Sequence, residues 1–153
     1  MMEIRKVLRN DLGELKNVLN TIELFPSEML DDLIADYLDI PETEQFWFTA
    51  IQFGKPCAIA YCALEKLTDR TYNLYAIGVQ SDDQGKGIGA KLMTFIEDFL
   101  RKKGNRILIV DTSSTPEFDR TRTFYLKLGY TKEATIKDFW KEGDDKIVFW
   151  KKL

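Results

Sequence analysis

The chain has 153 residues, 44% of them hydrophobic, which suits one domain with a sizeable core, since domains most often run to about 100–150 residues. Its 22 Lys and Arg residues against 25 Asp and Glu residues give a net charge of −3, which argues against a general nucleic-acid binder that neutralises phosphates. Histidine is absent, which excludes Ser-His-Asp and Cys-His catalysis and histidine-ligated zinc. We expect a single domain over residues 1–153 and no metal.

No apolar signal region follows the first residues, and no stretch approaches the roughly 20 apolar residues of a membrane span. We therefore expect a cytoplasmic protein without a membrane partner. The two cysteines, Cys57 and Cys62, would lie roughly 16 Å apart on one strand, which is beyond disulfide reach. We predict that both are free core thiols.

The first forty residues predict a short strand over residues 2–9 and then two helices. Asp11 and Glu14 have the spacing that can cap a helix start, and apolar residues follow at helical intervals. Ser27 is placed to cap the second helix. The apolar stripe of that helix consists of Leu30, Leu33, Ile34, Tyr37 and Leu38.

Residues 17–54 carry eight acids and no Lys or Arg, whereas the rest of the chain is net positive. The eight are Glu23, Glu28, Asp31, Asp32, Asp36, Asp39, Glu42 and Glu44. This asymmetry allows two interpretations, the solvated face of a helix or a surface that attracts cations.

Aromatic and β-branched runs at residues 45–53, 56–66 and 72–79 predict three strands, antiparallel because short turn signals connect them. A helix from Ile88 to about Phe99 follows, with Gly104 as its C′ residue. Residues 106–111 predict a strand buried on both faces and parallel to the strand before the helix. A short helix around Phe124 and strands near residues 130–136 and 146–151 complete a mixed α/β sheet.

A glycine-rich loop joins the third of these strands to the following helix. It reads Gln84-Gly85-Lys86-Gly87-Ile88-Gly89. Such a loop presents backbone N–H groups at the positive end of a helix and suits a phosphate. A flexible solvent loop is one alternative. A Rossmann dinucleotide site is another, since Ala90 and Asp111 also fit its pattern, but the hairpin-connected strands and the missing second half argue against it. A Walker A loop would need a closing Gly-Lys-Ser/Thr.

Two motifs in the correct order resemble those of the GNAT acetyltransferase superfamily. The loop matches motif A, Gln/Arg-x-x-Gly-x-Gly/Ala, after a hydrophobic strand at residues 74–79. Residues 121–130 are similar to motif B, usually Ala-x-x-Phe-Tyr-x-x-x-Gly-Phe, from which Thr121 and Tyr130 depart. The tail with Asp138-Phe139-Trp140 and Gly143-Asp144-Asp145-Lys146 looks like the ending of many small bacterial members.

The resemblance covers essentially the whole chain. It implies a single-domain α/β (α+β) fold with a mixed sheet of about six or seven strands, about four flanking helices, and a splay between strands 4 and 5. It also implies an acetyl-CoA-dependent N-acetyltransferase that acts on a small amine.

By resemblance, the loop N–H groups bind the coenzyme pyrophosphate, with Lys86 adding charge, and the pantetheine arm pairs with the backbone around Ile77 and Val79. Gly78 between them would suit a bulge. The backbone N–H groups of Ile77 to Val79 are candidates for binding the oxyanion. Tyr125 matches the family's general acid, and a phenol with a pKa near 10 is protonated at neutral pH.

Asp111 is our first candidate for the general base, with a cap on the following turn as the alternative. By resemblance, the acceptor lies across the sheet from the coenzyme, walled by residues 20–45. We therefore expect Glu28, Asp31 and Asp32 at its entrance and a cationic amine, such as a polyamine, as the acceptor.

A non-catalytic acyl-CoA sensor is the alternative function, and Tyr125 argues against it. We expect no nucleic-acid partner, and a homodimer is kept as an option for the oligomeric state.

Overall fold

The computed structural model describes residues 2–153, which form one seven-stranded sheet with four α-helices against it. The strands are β1 (Met2–Lys6), β2 (Gln45–Gln52), β3 (Lys55–Leu64), β4 (Thr71–Val79), β5 (Ile107–Ser113), β6 (Thr131–Lys141) and β7 (Asp144–Lys152). The helices are α1 (Leu12–Leu19), α2 (Leu30–Asp39), α3 (Ile88–Lys102) and α4 (Asp119–Lys127). Within residues 2–153, no helix is long and apolar enough to cross a membrane.

The sheet is mixed, in the order β1-β2-β3-β4-β5-β7-β6. Strands β1 to β4 are antiparallel neighbours, β5 is parallel to β4, and β7 is antiparallel to β5. The parallel pair follows from the α3 crossover, since parallel strands need a long connection. The predicted change from antiparallel to parallel pairing and the predicted strand number are confirmed.

Each face of the sheet has its own apolar core. On one face α3 buries Leu92 and Ile96 against Phe48 of β2 and Leu108 of β5. On the other face the stripe of α2 packs with α1 around Trp47, as the helical spacing predicts. Full burial of such side chains contributes about 1.5–3 kcal/mol each.

Both cysteines are free and buried, as predicted. Burial raises the pKa of the Cys57 thiol and the Cys62 thiol. Because the thiolate is the reactive form, both behave as core residues rather than nucleophiles.

The helix starts differ from the sequence prediction. The Asp11 carboxylate accepts hydrogen bonds from the Leu8 backbone N–H (2.7 Å) and from both terminal nitrogens of Arg5 (2.7 and 3.0 Å). It makes no capping bond at α1, and the Ser27 hydroxyl makes none near α2. Short 3-10 turns at Arg9–Asp11 and Ser27–Met29 run directly into the two helices instead.

Strand β5 is fully buried on one face only, so the prediction that it is buried on both faces is wrong. Leu108 and Val110 are buried toward α3, but Ile109 and Asp111 are only partly buried. The reason is that α1 packs on β3 and α2 on β2. The face of the sheet beside Asp111 therefore remains accessible, next to the parallel pair.

Candidate active site

The parallel strands β4 and β5 diverge halfway along their length. They pair only from Thr71 with Ile107 to Leu74 with Val110. Beyond that point β4 stays paired with β3, and β5 stays paired with β7. The edge of β4 that faces β5 is thus without a strand partner over its last five residues. Unpaired backbone groups of this kind bind an extended ligand arm.

The bulge at this divergence lies at Tyr75, which is the extra residue of β4 opposite β3. The expectation that Gly78 forms a bulge is wrong, since Gly78 pairs with Ile59 in register. Gly78 lies instead under the side chains of the α1–α2 loop, which a larger residue would displace. A Cβ atom on Gly78 would lie 2.5 Å from Ile22 Cδ1 and 3.2 Å from Leu24 Cδ2. The loop between α1 and α2 therefore lies directly on the diverging part of β4.

The glycine loop presents free backbone donors at the start of α3. Gly85 and Gly87 have φ values of +79° and +82°, in the left-handed region that glycine adopts most readily. Within residues 2–153, none of the N–H groups of residues 85–90 donates a hydrogen bond. The first turn of α3 contains no acidic residue. Such a row of donors at a helix N-terminus is an arrangement that suits an anion such as a phosphate group.

The side chains of the loop tie it to its surroundings. Gln84 Nε2 donates to the Val79 carbonyl at 2.9 Å, which fixes the loop to the end of β4. Lys86 is exposed and its ammonium group lies 3.1 Å from a carboxylate oxygen of Asp83. Part of the charge predicted for phosphate binding is therefore balanced by Asp83.

Two clefts meet at the divergence. The loop cleft, of about 600 Å³, is bounded by the glycine loop, the end of β4 and α4. The splay cleft, of about 550 Å³, is bounded by the diverging ends of β4 and β5, the α1–α2 loop and Trp140. Six residues line both clefts: Ile77, Gly78, Val79, Gln84, Thr121 and Tyr125.

Tyr125 lies on α4 at the boundary between the two clefts. Its ring packs against Phe124, Tyr130 and Phe149, and the residue is only 2% exposed. Within the described residues its hydroxyl has no hydrogen-bond partner, unlike that of Tyr130. Burial raises the pKa of Tyr125, so the hydroxyl keeps its proton at neutral pH.

Asp111 lies on β5 and lines the splay cleft. Its Oδ2 accepts a hydrogen bond from Asn73 Nδ2 (3.2 Å) and lies 3.4 Å from Lys146 Nζ, while its Oδ1 is buried without a partner. It does not cap the following turn, because Asp144 does so. Asp144 Oδ1 accepts from Ser113 Oγ at 2.5 Å and from the Ser114 N–H at 3.3 Å.

The acids predicted at the acceptor entrance are spread out. Glu28 lines a shallow cleft along residues 19–28, Asp31 forms an ion pair with Lys16 at 2.9 Å, and Asp32 is exposed on α2 and lines none of the clefts described here. The structure does not bring these three together with Tyr125. Glu23, from the same acidic segment, is the member that lines the splay cleft.

Sequence reasoning assigned no role to the tail, which forms a wall of the splay cleft. Trp140 lines that cleft, and its Nε1 donates to the Thr112 carbonyl at 3.2 Å. An irregularity in β6 produces this position, with a register shift after Ile136 and a positive φ at Asp138. The Asp-Phe-Trp motif marked the segment, but not its place in the fold. Among residues 2–153, no cluster of His, Cys, Asp or Glu side chains could hold a metal ion.

Comparison with known proteins agrees with this geometry. Residues 42–132 match the family model of the acetyltransferase (GNAT) domain. The structure is similar to that of a protein from Desulfovibrio desulfuricans assigned to the GNAT acetyltransferase family, with 25% sequence identity, a TM-score of 0.91 and 99% of each chain covered. A search of curated proteins found no match.

Two further structures share the fold. One is the ribosomal-protein-S18-alanine N-acetyltransferase from Escherichia coli (20% identity, TM-score 0.81, 99% of this chain and 94% of that chain). The other is an aminoglycoside 6′-N-acetyltransferase complexed with coenzyme A (14% identity, TM-score 0.71, 98% of this chain and 96% of that chain). Since the family model spans more than half of the chain and the fold agrees, the chain belongs to the GNAT acetyltransferases, enzymes that use acetyl-CoA.

Proposed function

We propose that this enzyme transfers the acetyl group of acetyl-CoA to a small cationic amine that binds in the splay cleft. The observation that carries the proposal is that two residues with an unpartnered oxygen, Tyr125 and Asp111, line the same cleft. The Tyr125 hydroxyl makes no hydrogen bond within the described residues, and Asp111 Oδ1 is buried without a partner behind the cleft surface. One can give a proton and the other can take one.

The coenzyme would be held by backbone groups. The free N–H groups of residues 85–90 would bind its pyrophosphate, with Gln84 and Lys86 at the rim. The unpaired edge of β4 around Ile77 and Val79 would pair with the pantetheine arm, which places the acetyl end at the divergence. The coenzyme supplies the acetyl group as a thioester, which an uncharged amine can attack.

The side chains would move two protons. Asp111 accepts a proton from the amine nitrogen as that nitrogen bonds to the acetyl carbon. Tyr125 donates its hydroxyl proton to the sulfur as the carbon–sulfur bond breaks, and the raised pKa of the buried phenol keeps that proton available at neutral pH. Backbone N–H groups among Ile77 to Val79 would donate to the carbonyl oxygen as its negative charge grows.

The lining of the splay cleft supports a cationic acceptor. Glu23, Asp111 and Asp144 line it, and among the described residues no Lys or Arg does, while Lys146, 3.4 Å from Asp111, offsets part of the charge from behind the lining. A cleft lined by one sign of charge concentrates ligands of the opposite sign. Glu28, Asp31 and Asp32 would act at longer range, as an outer acidic rim, and the ion pair of Asp31 with Lys16 weakens its share.

The test is acetyl transfer to a panel of cationic, neutral and anionic primary amines, followed by thiol release and by the mass of the product. We expect one thiol released for each acetylated amine, with cationic amines preferred at low salt. Hydrolysis of acetyl-CoA without amine gives the background rate. Thiol release that no amine in the panel accelerates above this background would contradict the proposal.

A further inference from the structure

We propose that the acceptor site continues from the splay cleft past Tyr75 into a neighbouring cleft, where Glu65 binds a second cationic group of the acceptor. The acceptor would then be a short diamine, or another amine that carries a second positive charge a few bonds from the reacting nitrogen. This inference rests on the proposed function, because it assumes that an amine reacts at the splay cleft.

The neighbouring cleft, called the side cleft here, adjoins the splay cleft. It measures about 450 Å³ and is lined by residues 43–45, the end of β3 and Tyr75. Tyr75 also lines the splay cleft, since the bulge lies at this residue. Its ring lies 5.5 Å from the ring of Tyr61, which in turn stacks on Trp47 at 4.3 Å. Tyr75 is thus a supported wall common to both clefts, and an acceptor can pass along it.

The charge in the side cleft centres on Glu65. Its carboxylate accepts hydrogen bonds from the Tyr75 hydroxyl and from Asn73 Nδ2 (3.4 Å), both neutral donors. Within residues 2–153 no cationic side chain lies within ion-pair distance of it. By contrast, Glu44 in the same cleft lies 3.7 Å from Arg70. Lys66 lines this cleft as well, but it forms no ion pair with Glu65. A partly buried carboxylate without a counter-ion favours a cationic ligand.

Asn73 links this carboxylate to the reacting end of the site. The residue is 4% exposed, and its Nδ2 donates to Asp111 Oδ2 (3.2 Å) as well as to Glu65 Oε1 (3.4 Å). Its Oδ1 is buried and has no partner, and the residue lies behind the walls of the two clefts rather than in their lining. One amide nitrogen therefore separates the two carboxylates. A chain of a few carbon atoms can span that separation, with one amine at Asp111 and the other at Glu65.

The experiment compares three acceptors of equal length at saturating acetyl-CoA. They are 1,4-diaminobutane with a cationic tail, butylamine with a neutral tail and 4-aminobutanoate with an anionic tail. For the wild-type enzyme we expect kcat/KM for the diamine to exceed that for butylamine by about 10-fold or more, as one charge-assisted hydrogen bond allows. We expect 4-aminobutanoate to be the poorest acceptor.

Glu65→Gln removes the charge but keeps the size of the side chain and its ability to accept from Tyr75 and Asn73. This variant should bring the diamine to butylamine ratio close to one, mainly through KM for the diamine. The matched control is Glu133→Gln, which changes an exposed carboxylate on β6 that lines neither cleft. The control should keep the wild-type ratio, and both variants should keep the wild-type KM for acetyl-CoA.

The possible results distinguish a failure of this inference from a failure of the proposed function. Equal kcat/KM values for diamine and butylamine in the wild-type enzyme, or a diamine preference that survives Glu65→Gln, would overturn the inference and leave the proposed function intact. A preference for 4-aminobutanoate would overturn this inference and the cationic acceptor of the proposed function, but not acetyl transfer to an amine. Acetylation of none of the three amines by an enzyme that acetyl-CoA still stabilises against heat would overturn the small-amine function, and this inference with it.

Discussion

Replacing Gly87 by Val should abolish acetyl-CoA binding in a protein that still folds. Gly87 precedes the first residue of α3 with φ at +82°, and an added Cβ would meet no atom within 4 Å. The left-handed backbone costs a residue with a side chain about 1–2 kcal/mol. For a chain of this size each kcal/mol lowers Tm by about 2–4 °C, so we expect a fall of about 2–8 °C.

The same substitution at Gly104 is the matched control. Gly104 lies beyond the opposite end of α3 with φ at +84°, an added Cβ there also meets no atom within 4 Å, and the residue lines neither the loop cleft nor the splay cleft. Both variants should therefore lose similar stability. Only at Gly87, which lines the loop cleft, would the valine side chain stand before the free N–H groups.

Thermal unfolding with and without ligand distinguishes the two variants. Acetyl-CoA at about 100 times its Kd should stabilise a binding-competent protein by about 2.7 kcal/mol, which raises Tm by about 5–10 °C. We expect this shift for the wild-type protein and for Gly104→Val, and no shift for Gly87→Val. NAD(H) and ATP should not shift Tm of the wild-type protein. An acetyl-CoA shift that persists in Gly87→Val would show that the loop does not hold the coenzyme.

Tyr125→Phe should lower kcat by about 10²-fold with little change in the Tm shift that acetyl-CoA produces. Full activity of this variant would show that Tyr125 serves only in packing. Because burial raises the pKa of Tyr125, wild-type kcat should not fall as pH rises through the ordinary tyrosine range, and a fall there that Tyr125→Phe abolishes would contradict the raised pKa. Asp11→Asn should lower the free energy of unfolding by about 2 kcal/mol. The hydrogen bond from Arg5 lowers the pKa of Asp11, so its stabilisation is present above the unfolded pKa and is lost as pH falls through the folded pKa, which acid titration of wild type and variant would detect. Reversing Glu28 and Asp32 to Lys should raise KM for a polyamine without affecting KM for acetyl-CoA, and the wild-type affinity for polyamines should fall with salt. Unchanged polyamine kinetics would show that these acids form only a solvated surface.

The glycine loop and the parallel strand pair could be predicted because local rules determine them. Gly85 and Gly87 occupy left-handed positions where other residues are strained. Turns too short for a crossover required β2, β3 and β4 to be antiparallel, and the helix after β4 allowed a parallel neighbour. The general-acid role of Tyr125 is predicted only by the resemblance of residues 121–130 to motif B. From its position on a helix alone, Tyr125 would be predicted to be a packing residue.

The parts that could not be predicted depend on contacts between distant segments. Trp140 reaches Thr112 and Lys146 reaches Asp111 only because β7 pairs with β5 and β6 folds back along β7. No local spacing encodes these pairs. The apolar run of β5 likewise cannot reveal that the helices on one face stop at β3, which leaves Asp111 at the wall of a cleft rather than under a helix.

Of the two departures from motif B, Tyr130 has a structural explanation and Thr121 lies in the candidate site. The hydroxyl of Tyr130 donates to Glu97 at 2.7 Å, and Glu97 also pairs with Lys151 at 2.9 Å. This buried group ties α3 to β7, and a phenylalanine could not take part in it. Thr121 lines both main clefts, one helical turn before Tyr125, so its difference from alanine falls within the candidate site.

The central claim is that the thioester lies at the divergence of β4 and β5, between Tyr125 and Asp111. A crystal structure of the complex with coenzyme A tests it most directly, through the distance from the coenzyme sulfur to the Tyr125 hydroxyl oxygen. We predict a hydrogen-bonding distance between these two atoms, the pyrophosphate on the N–H groups of residues 85–90, and the sulfur opening onto the splay cleft. A coenzyme bound outside the loop cleft, or a sulfur directed away from Tyr125, would contradict the account.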